Sequence, residues 1–165
     1  MKKIVLFFAA FLLFLANSQA QNSKLPDVQL KDLQGKTVAF KEQLKPEKIT
    51  VISFWATWCA PCKKELDNIA EVYPEWQEKF NVELIAISTD DARTTPKVKS
   101  TVAAKGWDYA VLIDSNQDLQ RALNINSVPF TIVIDKKGEI IYQHSGYKDG
   151  DEEELAAKLA EWAKK

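Results

Sequence analysis

Apolar and polar residues alternate with two different periods along this chain, and the period switches several times. Val28 and Leu30, then Gln34-Gly35, then Val38 and Phe40 read as a β-hairpin turning at the glycine. Lys48 to Ala56 is apolar on both faces, the pattern of a buried central strand. From Pro61 to about Phe80 the apolar positions Leu66, Ile69, Ala70, Tyr73, Trp76 and Phe80 have helical spacing. Pro61 fits the first turn of that helix, and Pro74 is expected to kink or split it. Val82 to Ser88 is a second buried strand. Thr95-Pro96 predicts the cap and first position of a helix carrying Val98, Val102 and Ala103, stopped by Gly106. Tyr109 to Ile113 predicts a third strand and Asp118 to Leu123 a short helix. Phe130 to Asp135 and Glu139 to His144 form a hairpin turning at Lys136-Lys137-Gly138. Acids from Asp149 to Glu154 open a last helix, Leu155, Leu159 and Trp162 stripe it, and Lys164-Lys165 close it. Strands alternating with helices, ended by a hairpin and a helix, predict an α/β sandwich around a central mixed sheet.

The first 20 residues stand outside this pattern. Lys2 and Lys3 precede an uninterrupted apolar run, Ile4 to Ala16, of 13 residues. Ser18-Gln19-Ala20 follows with small residues at a cleavage-site spacing, so the segment reads as an export signal removed before Gln21. The alternative is an uncleaved anchor, against which the run is shorter than the ~20 residues that span a bilayer. No cysteine directly follows the run, which excludes a lipoprotein. The expected organisation is a signal peptide over 1–20 and one domain over 21–165. The two-lysine start and short length suit a bacterial signal and a periplasmic destination.

Composition narrows the function classes. The chain of 165 residues is 46% hydrophobic, with only 5 Gly and 6 Pro, which suits a single packed domain and not disorder. Its formal charge is −1; without Lys2 and Lys3 the 22 basic residues become 20 against 23 acidic ones. The two signs are interspersed and no basic stripe points to nucleic acid.

The candidate chemistry lies in Trp55-Ala56-Thr57-Trp58-Cys59-Ala60-Pro61-Cys62, which holds the only 2 cysteines of the chain. A Cys-x-x-Cys pair between a strand and a helix is the setting of a redox dithiol. At a helix N-terminus Cys59 meets the positive end of the dipole and free N–H groups, both favouring the reactive thiolate. A structural disulfide would close too short a loop to restrain the unfolded chain much. A structural zinc site normally needs four ligands, and only Cys59, Cys62 and the lone His144 are on offer. His144 itself reads as a surface or packing residue. No metal or other cofactor is expected beyond the cysteine pair.

Trp55 to Glu65 (WATWCAPCKKE) resembles the active site of thioredoxin-fold proteins, and Ser127-Val128-Pro129-Phe130-Thr131 resembles that family's second signature. With the opening Leu25-Pro26-Asp27 to Phe40, residues 24 to 163 are similar to the exported TlpA/ResA-like (redoxin) branch of thiol-disulfide oxidoreductases. The resemblance implies a thioredoxin fold, a central mixed β-sheet flanked by helices, with an added N-terminal β-hairpin. It implies that Cys59 attacks a substrate disulfide and that Cys62, the more buried thiol, resolves the mixed disulfide. Trp58, Ala60 and Pro61 would shape the rim, and Val128 with a cis Pro129 would face the dithiol and pair with substrate backbone.

Two departures stand out. Thioredoxin carries a buried acid three residues before the Ala of its W-A-x-W-C motif, where this chain has Ser53, and the family often has a proline where this chain has Asp67. The proton acceptor is therefore open: Asp91 and Glu65 both match acids of the branch, and both also read as solvated side chains. Ala60-Pro61 resembles the reductant side of the family, which implies a disulfide reductase with protein disulfide substrates and a DsbD-type membrane electron donor, with cytochrome c maturation as one candidate setting. The alternatives are a disulfide oxidant or isomerase, a thiol peroxidase, for which the Thr57-to-Cys62 spacing is wrong, and a redox-inert binding module.

Overall fold

The structure is a computed structural model and describes residues 25–164; the predicted signal peptide lies outside the described residues. A seven-stranded mixed sheet runs through the domain. Its strands are β1 (Gln29–Asp32), β2 (Thr37–Ala39), β3 (Ile49–Trp55), β4 (Val82–Ser88), β5 (Ala110–Ile113), β6 (Phe130–Ile134) and β7 (Ile140–Ser145). Among the described residues the helices are α1 (Ala60–Phe80), α2 (Pro96–Lys105), α3 (Asp118–Ala122) and α4 (Asp151–Trp162), with a 3-10 turn at Phe40–Gln43. The sheet order is β2-β1-β5-β4-β3-β6-β7. The β3, β4 and β5 strands are parallel, while β6, β7 and the β1–β2 hairpin are antiparallel additions.

All residues of β3 and β4 are buried, as their unbroken apolar runs require when both sheet faces are covered. Alternation along the strands then sorts side chains between two cores. Ile52, Phe54, Ile85, Ile87 and Ile132 point toward Leu30, Phe40 and Leu119, the side of the hairpin and α3. Val51, Leu84 and Val133 point toward Ile69, Tyr73 and Trp76 of α1 and Leu155 and Leu159 of α4. Toward the C-terminal end of β3 the same face packs Trp55, Leu66, Val98 and Val102, bringing α2 into the layer.

The α1 helix runs unbroken through Pro74, where the sequence predicts a kink or split. Packing on both sides of the proline holds it: Tyr73 and Trp76 are buried, and Tyr73 Oη accepts the Leu84 N–H at 3.3 Å. Asn81 ends the helix in the left-handed conformation, at φ 53°. Thr95 precedes α2 as predicted but does not cap it; its hydroxyl donates instead to the Asp90 carbonyl at 3.1 Å.

Candidate active site

The site forms where β3 stops and α1 starts. Cys59 occupies the N-cap position of α1, and its Sγ accepts the Cys62 N–H at 3.2 Å. Cys59 and Cys62 are joined as a disulfide, with Cα atoms 5.3 Å apart. Cys59 keeps 4% of its surface exposed and Cys62 none, because Cys62 lies on the inner side of the first turn. Ala60 and Pro61 face solvent between them. Pro61 lies in the first turn, where it withholds no intrahelical hydrogen bond.

The loop that presents Cys59 is gripped from below by Asp90, which is fully buried. Its carboxylate accepts the Thr57 N–H at 2.8 Å, the Thr57 hydroxyl at 2.6 Å and the Ser88 hydroxyl at 2.8 Å. Lys63 Nζ closes the other side by donating to the Thr57 carbonyl at 3.0 Å. Trp58 at the tip of this loop is 68% exposed, the one large hydrophobic side chain among the described residues that faces water. Trp55, by contrast, is fully buried and stands edge-on to Trp107 at 5.0 Å. Val128, joined to Pro129 by a cis peptide bond, packs partly buried against the cluster that contains both cysteines.

The two acids suggested by sequence have opposite surroundings. Asp91 is turned outward: its carboxylate accepts from Arg93 Nη2 at 2.8 Å and from the Thr94 N–H at 3.1 Å. The Arg93 hydrogen bond holds it down at about 2, so its carboxylate is a weak base. None of its hydrogen bonds reaches the dithiol. Glu65 is 4% exposed, on the stripe of α1 that also buries Cys62, Leu66, Ile69, Tyr73 and Trp76. Three residues after Cys62, it lies one turn further in on the same face. Thr131 Oγ1 donates to Glu65 Oε1 at 2.7 Å and Ser53 Oγ to Oε2 at 3.1 Å. Burial outweighs these two hydrogen bonds and pushes the carboxyl up from 4.5 to about 7.

Asp67, which replaces the proline common in the family, ties α1 to the end of α2 by accepting from Trp107 Nε1 at 2.9 Å and from Lys105 Nζ. His144 is partly exposed on β7 with Asp151 Oδ2 3.2 Å from its Nε2. Sequence reading missed Asp90, whose neighbour Asp91 offers the same side chain with nothing in the local pattern to separate them. Glu65, one of the two acids the sequence suggests, carries a further signal: an acid inside an otherwise buried helical stripe, between Cys62 and Ile69.

Residues 22–143 match the AhpC/TSA family. Among curated proteins, the thiol-disulfide oxidoreductase ResA of Bacillus anthracis is 36% identical over 121 residues, 73% of this chain and 67% of that protein. ResA of Bacillus cereus is 32% identical over 140 residues, 85% of this chain and 75% of that protein. Among solved structures, a thioredoxin-like protein from Porphyromonas gingivalis is 44% identical, with a TM-score of 0.76 over 86% of this chain and 93% of that one. StoA from Bacillus subtilis shares the fold at 23% identity, with a TM-score of 0.64 over 84% of this chain and 96% of that one. Proteins of this kind work through a cysteine pair and need no cofactor. A thioredoxin-like sheet, a Cys-x-x-Cys pair at its strand-to-helix turn and these relatives agree, and the chain belongs to the AhpC/TSA family as a thiol-disulfide oxidoreductase of the ResA type.

Proposed function

We propose that the chain is a disulfide reductase of the periplasm, with Cys59 as nucleophile, Cys62 as resolving thiol and Glu65 as proton acceptor. The Cys59 thiolate attacks one sulfur of a substrate disulfide; a Cys59–substrate bond forms and the other substrate sulfur leaves as thiolate. Cys62 passes its proton to the Glu65 carboxylate and attacks Cys59 Sγ. The mixed disulfide breaks, the second substrate thiolate leaves and the Cys59–Cys62 bond forms. Two electrons have then moved from the dithiol to the substrate. The observation that carries this reading is the placement of Glu65, buried on the stripe of Cys62 and one turn beyond it. A carboxyl near 7 is matched to taking and returning a proton at neutral pH.

Ala60-Pro61 between the cysteines supports the reductant direction, by resemblance to reducing members of the fold. An exported reductase works against an oxidising compartment, so it needs a donor across the membrane, of the DsbD type. Protein disulfides are its substrates, with apocytochrome c cysteines as one candidate. Export rests on Lys2, Lys3, the Ile4 to Ala16 run and Ser18-Gln19-Ala20. N-terminal sequencing of the exported protein should begin at Gln21; an intact Met1 in the membrane fraction would make residues 4–16 an anchor.

The deciding experiment for direction is the reduction potential of the Cys59–Cys62 couple against glutathione or dithiothreitol buffers. A value near that of thioredoxin, about −270 mV, fits a reductase, whereas one near about −120 mV marks an oxidant and overturns the assignment.

A further inference from the structure

Glu65 has a polar exit on the side away from the cysteines. The registers of β3, β6 and β7 align Ser53 with Thr131 and Thr131 with His144. Residues paired across neighbouring strands share a face of the sheet. The row Ser53–Thr131–His144 therefore runs beneath α1, from the buried centre of the sheet to its edge strand. Its two hydroxyls donate to Glu65. Its outer member shares with Glu65 a cavity of about 10 Å³, lined on its polar side also by Thr131, Tyr142, Asp151 and Glu152 and on its apolar side by Ile69 and Leu155. That is about the room one water needs, with polar partners on several sides.

The groups around His144 divide the roles. From α4, Asp151 Oδ2 accepts the Lys148 N–H at 2.9 Å and lies 3.2 Å from His144 Nε2. Glu152, also from α4, has both oxygens engaged, by Tyr147 Oη at 2.8 Å and Asn68 Nδ2 at 3.1 Å. Tyr142, on the same strand, stacks on the imidazole at 6.3 Å, and Lys148 Nζ lies 3.9 Å from Asp151 Oδ1. A carboxylate only accepts, so Nε2 carries its hydrogen toward Asp151 and Nδ1 is the acceptor of the neutral ring. Nδ1 makes no hydrogen bond among the described residues. When it holds the proton, His144 favours the Glu65 carboxylate, and Asp151 opposes that effect.

We propose that His144, oriented by Asp151, is a positioning residue for Glu65 and the outer station of a proton path that links Glu65 to solvent through one water in this cavity. The proton that Cys62 leaves on Glu65 passes to the water and then to the imidazole, which releases it to bulk; no electrons move along this path. The dithiol face can then stay covered by substrate while the proton leaves from behind. The proposal rests on Glu65 as acceptor, and the test separates the two.

The test is single-turnover reduction of oxidised glutathione by the reduced protein, followed by tryptophan fluorescence in dilute non-imidazole buffer between about pH 5 and pH 9. The variants are His144→Gln, His144→Ala and Glu65→Gln. Without His144 the imidazolium that forms as the proton passes is lost, and with it an attraction for the Glu65 carboxylate. His144→Gln should therefore move the Glu65-dependent midpoint up. Exchange near neutrality should slow with it. Added imidazole should restore the rate of His144→Ala and leave Glu65→Gln unchanged. If Glu65→Gln is slow while both His144 variants keep the wild-type profile, the path is wrong and the acceptor stands. If Glu65→Gln keeps the wild-type profile, the acceptor itself is wrong and the path falls with it.

Discussion

Replacing Glu65 by Gln should alter stability in a way that depends on pH with a sign fixed by burial. The Glu65 carboxyl is raised from 4.5 to about 7 in the folded protein, chiefly by desolvation. Below pH ~4.5 both folded and unfolded chains hold the proton and folding carries no penalty. Between ~4.5 and ~7 the unfolded chain has released it while the folded one keeps it, so stability falls as pH rises. Above ~7 the folded chain has ionised too and the penalty is complete. The difference between 4.5 and about 7 corresponds to roughly 3 kcal/mol. Glu65→Gln carries no charge at any pH, so its stability relative to wild type should grow by about that amount between pH ~4 and pH ~8. The amide also disturbs the hydrogen bonds from Ser53 and Thr131, a pH-independent offset of about 1–2 kcal/mol, so the slope is informative and the offset is not. The buried Asp114 is raised as well, but it is common to both proteins and cancels in the difference. Urea unfolding of the oxidised proteins at several pH values, followed by fluorescence of the buried Trp55 and Trp107, reads the slope. Parallel curves for the two proteins would refute the assignment of Glu65 as a carboxyl held near neutrality by burial.

Other outcomes follow from the same geometry. In the reduced protein Cys59 should be alkylated faster than Cys62 at neutral pH, with an apparent pKa below the free-thiol value of about 8.5; equal, slow labelling of both would remove the nucleophile assignment. Asp90→Ala strands the Thr57 N–H and two hydroxyls in a buried site and should destabilise by about 3 kcal/mol in urea titration. A loss below about 1 kcal/mol would mean that the loop holds its own shape. Trp58→Ala, at an exposed tip, should change stability by less than about 0.5 kcal/mol yet slow reduction of an unfolded protein disulfide more than that of glutathione. Equal slowing of both would rule out Trp58 as a contact for polypeptide substrates.

What the sequence shows of this molecule divides along the range of the interactions involved. The β3 and β4 runs, the hairpin turning at Gly35, the α1 stripe and the acid-rich start of α4 are local patterns, and each is where its period puts it. The dithiol belongs with them, because its spacing and its strand-to-helix setting lie within one stretch of chain. Failures occur where a distant partner decides. Pro74 alone argues for a broken helix, but packing of Tyr73 and Trp76 on the sheet keeps it continuous. Thr95 alone argues for a cap, but the Asp90 carbonyl takes its hydroxyl. Asp90 and Asp91 are adjacent and chemically alike. Only the fold of the Thr57 loop onto Asp90 and of Arg93 onto Asp91 tells them apart. His144 can be placed beside Glu65 only through two strand registers that no local pattern encodes.

The departure at Ser53 and the burial of Glu65 explain each other. Position 53 is where thioredoxin carries its buried acid on the strand, and here a hydroxyl at that place donates to an acid delivered from the helix opposite. Thr131, one strand over in register, supplies the second donor. Two donors lower the cost of enclosing a carboxylate without abolishing it, which leaves Glu65 near neutrality instead of fully ionised or permanently protonated. An acid at 53 would put two carboxyls within hydrogen-bonding reach of each other in a low-dielectric site, where like charges oppose joint ionisation. The hydroxyl at 53 is thus the counterpart of the acid at 65. Relative to thioredoxin, the buried carboxyl comes from the helix and not from the strand, on the stripe of α1 that also buries Cys62.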